Sequence, residues 1–174
     1  MDKITKEIYL RGEDWEKLIN QLYRTVFPTL YSMYVLCTSI GIMYDQQLNV
    51  ESGKDVEDAG SIPRTVQLNN KEELEILFQT AILTTDLVEY NEDTRLELAF
   101  GDTNRVENFD EIHFLTLFAN YGAKILAEQL GDEVLESMEN IKDLLVKTLT
   151  GLNFDIDPVD IDSLDISVED LLAE

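Results

Sequence analysis

Residues 29–43 are apolar on nearly every side of a projected helix. Pro28 precedes them, and because proline is tolerated in the first turn of a helix but not in its interior, a new helix is predicted here. A helix without a polar face must be covered on all sides, so this segment predicts the central helix of a bundle. Its small residues Ser39 and Gly41 would allow a neighbouring helix to approach closely.

Apolar residues recur at helical spacing in five further segments. These are residues 13–23, 71–87 and 94–100, a stretch that follows a cap at Asn108 and ends at Gly131, and a stretch from Asp132 to Gly151. Residues 46–64 are polar and acidic and predict a loop. A short β-hairpin would pair residues 8–10 with residues 65–68. The chain is therefore predicted to be all-α or mainly α, a compact bundle of about six helices with a minor hairpin.

The charge of the chain is its strongest functional signal, since 36 acidic and 13 basic residues give a net charge of −23 over 174 residues. Such a surface attracts basic partners and repels nucleic acid and anionic membranes. The arginines are scattered along the sequence, which argues against a nucleic-acid groove. The charge predicts binding to a protein partner, with no direct binding to nucleic acid and none to a membrane.

The last segment, residues 153–174, differs in kind from the rest. It contains eight acidic residues and no basic residue, and the acids are interleaved with aliphatic residues and one phenylalanine. Alternation of acidic and apolar residues is typical of tails that become ordered on a partner. We predict a helical domain at residues 1–152 and an acidic docking tail at residues 153–174. Docking on the chain's own domain and docking on a partner both remain open.

The residues that could carry catalysis have structural explanations. Cys37, the only cysteine, lies in the most apolar segment and is predicted to be a buried, inert thiol. Asp110 and His113, the sole histidine, are three residues apart on a predicted helix and could share a metal ion, but no second histidine is present to complete a site. No glycine-rich phosphate loop occurs. We therefore expect no enzyme activity, no metal and no cofactor.

The sequence also predicts a compartment. The first residues lack the apolar core of a signal peptide, and no segment contains the roughly 18 consecutive apolar residues that cross a bilayer. A single cysteine excludes an intramolecular disulfide and fits a reducing environment. We expect a cytoplasmic protein.

Three short segments carry a resemblance to a known family. They are residues 26–42, which begin Val26-Phe27-Pro28-Thr29, the pair Ile62-Pro63, and residues 118–126, which read FANYGAKIL. Their order and spacing over residues 14–130 resemble those of small proteins associated with bacterial DNA phosphorothioation (Dnd) systems. The resemblance implies a small helical accessory subunit of a multi-protein anti-phage system, docked on a larger, more basic subunit such as a DNA-translocating ATPase or a nuclease.

Two functional hypotheses follow from the charge, the tail and the resemblance. The first is a non-enzymatic accessory subunit of a defence complex. Because exposed aromatic and aliphatic residues dominate interface energetics, its predicted partner-binding anchors are apolar side chains. They are Trp15, Tyr31, Phe154, Ile156, Ile161 and Leu164. The alternative is an acidic DNA mimic that presents carboxylates at phosphate-like spacing and inhibits a restriction or defence nuclease.

Overall fold

The computed structural model describes residues 4–50, 58–101 and 109–151. Within these ranges the chain forms seven helices and one two-stranded antiparallel sheet, which confirms a mainly α fold. None of the helices so described combines the length and the apolar character that crossing a bilayer requires. In chain order the elements are β1 (Ile8–Arg11), α1 (Glu13–Leu22), α2 (Leu30–Met43), β2 (Asp58–Ile62), α3 (Arg64–Asn69), α4 (Lys71–Thr84), α5 (Glu92–Phe100), α6 (Glu111–Ala127) and α7 (Val134–Gly151).

The chain divides into a larger unit, Met1–Ile141, and a second unit that begins at Lys142. In the larger unit, the first half of α7 contributes the buried residues Ser137 and Ile141. In the second unit, the described residues continue α7 to its end. The predicted docking tail at residues 153–174 lies outside the described residues, so the division at residue 152 stays a prediction.

Helix α2 is the central element of the larger unit, as its apolar sequence predicts. Its residues Met33, Tyr34, Cys37 and Thr38 are fully buried, and α2 packs mainly on α6 and also on α4 and β2. Thr29 caps the helix, because its Oγ1 accepts a hydrogen bond of 3.0 Å from the Ser32 N–H. The bundle is therefore organised around the α2–α6 pair.

The backbones of α2 and α6 touch at two glycines. A Cβ added to Gly41 would overlap the carbonyl oxygen of Phe118, and a Cβ added to Gly122 would overlap the carbonyl oxygen of Cys37. Glycine is the residue that permits such close backbone approach. The prediction that Gly41 allows a neighbouring helix to approach closely is confirmed. Ser39, in contrast, is half-buried, and its Oγ donates a hydrogen bond to the Val35 carbonyl within α2.

The small sheet contains one predicted strand and one that was not predicted. Strand β1 is found, but it pairs with β2, with Ile8 opposite Ile62 and Leu10 opposite Gly60. The predicted pairing of β1 with residues 65–68 is wrong, because these residues belong to helix α3, which begins directly after Pro63. Strand β2 lies in the segment predicted to be a loop, and packing sustains it: Ile62 is buried, and Gly60 lies against the side chain of Leu30.

The predicted helix positions are confirmed and their ends move by a few residues. Asp110 caps α6 by accepting from the His113 N–H at 2.9 Å, whereas the predicted cap, Asn108, lies outside the described residues. Asn91 caps α5 by accepting from the Thr94 N–H, so this helix begins two residues before its prediction. Helix α3 is the one helix among the described residues that the apolar periodicity of the sequence does not predict.

We predict that Gly41→Ala and Gly122→Ala each destabilise the protein strongly. The added methyl group has no room at the α2–α6 contact, and overpacking at a rigid backbone contact should lower the free energy of unfolding by about 3 kcal/mol. Gly151→Ala is the matched control, because nothing lies within 4 Å of its added Cβ. Urea unfolding followed by circular dichroism measures all three, and equal stability of Gly122→Ala and the control would contradict the close contact.

We also predict that stability falls in alkali because of Tyr34. Burial raises the pKa of its phenol, whose oxygen lies 3.3 Å from Thr116 Oγ1. In the unfolded chain a tyrosine ionises near pH 10, whereas in the folded protein Tyr34 keeps its proton. The contribution of Tyr34 to the free energy of unfolding is therefore complete below about pH 10 and is lost above it, by about 1.4 kcal/mol per pH unit. Tyr34→Phe should make the decline shallower in urea titrations between about pH 10 and 11. An unchanged slope would contradict this assignment.

Candidate functional site

The structure places two of the predicted partner-binding anchors in the core. Trp15 is 1% exposed, and its indole N–H donates to Asn120 Oδ1 at 2.9 Å. Tyr31 is 8% exposed, and its hydroxyl donates to Glu73 at 2.8 Å. Neither is an exposed anchor, because the bundle covers the apolar face of α1 and nearly all sides of α2. The other predicted anchors, Phe154, Ile156, Ile161 and Leu164, lie outside the described residues.

Large apolar side chains are exposed on α4 and α5, as they also are on α7. Ile76 is 63% exposed, Phe100 65%, Leu96 44% and Leu83 37%. These four residues are called the α4–α5 face from here on. Ile76 and Leu83 are seven residues apart, and Leu96 and Phe100 are four apart, so each pair projects from one side of its helix.

Hydrogen bonds between α4 and α5 bring the two pairs to matching levels. Gln79 Nε2 donates to the Ala99 carbonyl at 3.1 Å, and Arg95 Nη1 donates to the Ile82 carbonyl at 3.2 Å. Residue numbers therefore rise along α4 as they fall along α5, so the two helices are antiparallel. Within this register Leu83 is level with Leu96, and Ile76 is close to the level of Phe100. The α4–α5 face is thus one apolar strip along a helical hairpin.

Arg95 fixes the connection between the two helices. Its guanidinium donates to the carbonyl oxygens of Ile82, Thr85, Val88 and Tyr90. Because the last carbonyls of a helix lack partners within the helix, a cation at this position also satisfies the end of α4. The positive charge of Arg95 therefore interacts with backbone carbonyls of the hairpin itself.

The α4–α5 face is surrounded by negative charge. Residues 71–100 contain eight acidic residues against Lys71 and Arg95, a net charge of −6. The exposed acids of the hairpin are Glu72, Glu73, Asp86, Glu89, Glu92 and Asp93. An apolar strip with a polar, charged rim is the usual anatomy of a protein interface. The sign of the rim fits a basic partner.

Sequence reasoning missed Ile76 and Leu83, although a signal for them was present. The outer side of α4 carries Glu72, Glu73 and Glu75, which by themselves indicate an acidic, solvated face. Ile76 and Leu83 lie on that side, opposite the buried residues of the helix. Two aliphatic residues seven positions apart on an otherwise polar face indicate a second, exposed apolar stripe.

Two groups with catalytic potential, Cys37 and Asp110, have structural roles. Cys37 is fully buried, as predicted, and burial raises the pKa of its thiol, which keeps it from forming a nucleophilic thiolate. The Asp110 carboxylate accepts from the backbone of His113 as a helix cap. In the part of the chain that the structure describes, no three side chains of histidine, cysteine, aspartate or glutamate are grouped to hold a metal ion.

Comparisons with family models, with curated proteins and with solved structures found no match to this chain. A function is therefore inferred from the chain's own residues. The feature with the clearest chemical consequence is the α4–α5 face with its acidic rim.

We predict that Arg95→Lys destabilises the α4–α5 hairpin. A lysine ammonium cannot reproduce the planar set of donors that reaches four carbonyls, so at least one buried carbonyl loses its partner. The free energy of unfolding should fall by about 1–3 kcal/mol. Arg24→Lys is the control, since Arg24 is exposed. Urea unfolding measures both, and hydrogen exchange should accelerate at residues 85–91 in Arg95→Lys alone. Equal stability of the two variants would contradict the clamp.

Proposed function

We propose that this protein is a non-catalytic adaptor that binds a basic protein partner through the α4–α5 face. The observation that carries the proposal is the exposure of Ile76 and Phe100, at 63% and 65%, within a hairpin of net charge −6. Burying a large aliphatic or aromatic side chain contributes about 1.5–3 kcal/mol relative to leaving it exposed. Burial of the four residues of the face would therefore favour a complex, and the rim would supply orientation and a fast encounter.

The resemblance to phosphorothioation-associated proteins suggests where the partner is to be sought. It favours a larger subunit of an anti-phage defence complex, such as a DNA-translocating ATPase or a nuclease. Proteins that act on DNA carry basic surfaces. The apolar strip is complementary to an apolar patch on such a protein, and the acidic rim is complementary to basic residues around that patch.

The alternative function is a DNA mimic, and the net charge of −23 favours it. A mimic occupies a DNA site through its carboxylates, so its binding weakens steeply with salt and duplex DNA competes with it. The adaptor is held mainly by apolar contacts, which salt does not weaken, and salt screens only the attraction of its acidic rim. The two functions therefore differ in their response to salt and to DNA.

We predict that Ile76→Ser combined with Phe100→Ser weakens partner binding and preserves the fold. Both side chains are solvent-exposed, so their replacement changes the surface and not the core. A tagged protein is used to capture candidate subunits of a defence complex, and the purified pair is then measured by calorimetry. The dissociation constant should rise at least about tenfold. Leu135→Ser is the matched control, because Leu135 on α7 is also 65% exposed.

The same binding measurement separates the two functions. Binding is measured at ionic strengths of about 0.15 M and about 1 M, with and without duplex DNA. Affinity that survives high salt, ignores DNA and is lost in the double variant supports the adaptor. Affinity that is lost with salt, yields to DNA and is unaffected by the double variant overturns it in favour of mimicry.

A further inference from the structure

A cleft of about 490 Å³ opens between β1, the first turns of α6 and residues 49–50. Its size is within the range of small-molecule sites. The polar side chains that line it include Tyr9, Arg11, Asn49, His113 and Asn120. None of the described residues that line it is acidic, although 36 of the 174 residues of the chain are. An arginine, which is paired with Asp58, and the only histidine thus share one concave site on an acidic protein.

The floor of the cleft is held in place by the core. Asn120 is 7% exposed; its Oδ1 accepts from the Trp15 indole at 2.9 Å, and its Nδ2 donates to the Leu48 carbonyl at 3.1 Å. The Leu48 N–H in turn donates to the Leu117 carbonyl at 2.9 Å. The amide of Asn120 and the segment leading to Asn49 therefore have a fixed orientation. A site whose polar groups are fixed in advance loses little entropy when a ligand binds.

Arg11 contributes hydrogen-bond donors to the lining of the cleft. Its Nε donates to Asp58 at 2.6 Å, and its guanidinium carbon lies 5.1 Å from the centre of the Tyr9 ring. Within the described ranges, its two terminal nitrogens have no hydrogen-bond partner, and its side chain is 31% exposed. The Tyr9 side chain beside it is 43% exposed. A guanidinium oriented through Nε presents its terminal nitrogens to a phosphate or carboxylate.

We propose that this cleft binds a small molecule in which an aromatic or heteroaromatic ring carries a phosphate or a carboxylate. The ring packs on Tyr9, and the anionic group accepts from the terminal nitrogens of Arg11, with Asn49 and His113 as further polar contacts. The net charge of the chain repels anions at long range, but screening limits this repulsion to about 8 Å at physiological salt. Recognition therefore depends on the short-range donors inside the cleft.

The test uses the full chain and four probes: adenosine monophosphate, benzoate, adenosine and inorganic phosphate. Binding is followed by NMR chemical shifts and by calorimetry. We expect adenosine monophosphate or benzoate to bind at least about tenfold more tightly than adenosine and inorganic phosphate, which lack the anion and the ring respectively. Preference between the first two distinguishes a phosphorylated ligand from a carboxylated one. Failure of both to bind at about 1 mM would overturn the proposal.

The residue assignment is tested with Arg11→Lys, which keeps a positive charge beside Asp58 and removes the planar donor set. Binding of the preferred probe should weaken about tenfold. Arg24→Lys is the control, because Arg24 lies 5.2 Å from the centre of the Tyr23 ring in a similar pair outside the cleft. Equal binding by Arg11→Lys and the wild type would overturn the role of Arg11. The Ile76→Ser, Phe100→Ser variant should bind the probe normally, which keeps this test independent of the proposed adaptor function.

Discussion

The backbone contact between α2 and α6 is the constraint on which the rest of the molecule depends. Gly41 and Gly122 remove the side chains that would separate the two helices, and each faces the carbonyl of a residue on the other. At this distance the side chains along the pair must pack closely. The contact fixes α6, and α6 in turn holds Asn120 beneath Trp15 and beside Leu48. The cleft floor is therefore a consequence of the helix crossing.

Three arginines of this chain hold parts of its own fold together. Arg95 donates to four carbonyls between α4 and α5, Arg64 donates to the Ile4 carbonyl at 2.7 Å, and Arg11 pairs with Asp58 across the sheet. Guanidinium groups used in this way neutralise little of the surface. The acids, by contrast, favour helix N-terminal turns, as Glu72 and Glu92 do, where the helix dipole stabilises them. The same distribution that stabilises the fold leaves the surface strongly negative.

The sequence predicts what depends on local periodicity and misses what depends on packing. The central helix α2, the role of Gly41 and the burial of Cys37 all follow from the apolar run at residues 29–43. Strand β2 was missed because Asp58–Ile62 has little strand propensity and is ordered by its neighbours. Trp15 was expected to be exposed because periodicity identifies an apolar face without saying what covers it. The cleft joins residues more than 100 positions apart, which no local pattern reveals.

The charge around the α4–α5 face also selects the kind of partner. A symmetric dimer through this face would bring the same surface of two copies together and place two hairpins of net charge −6 against each other. Like charges at close range oppose association, and the surrounding charge of each chain adds to the repulsion. Apolar side chains such as Phe100 can therefore stay exposed without driving self-association. In the proposed function, a partner with basic residues around an apolar patch would turn the same rim from a barrier into an attraction, and charge would select that partner before the apolar residues make contact.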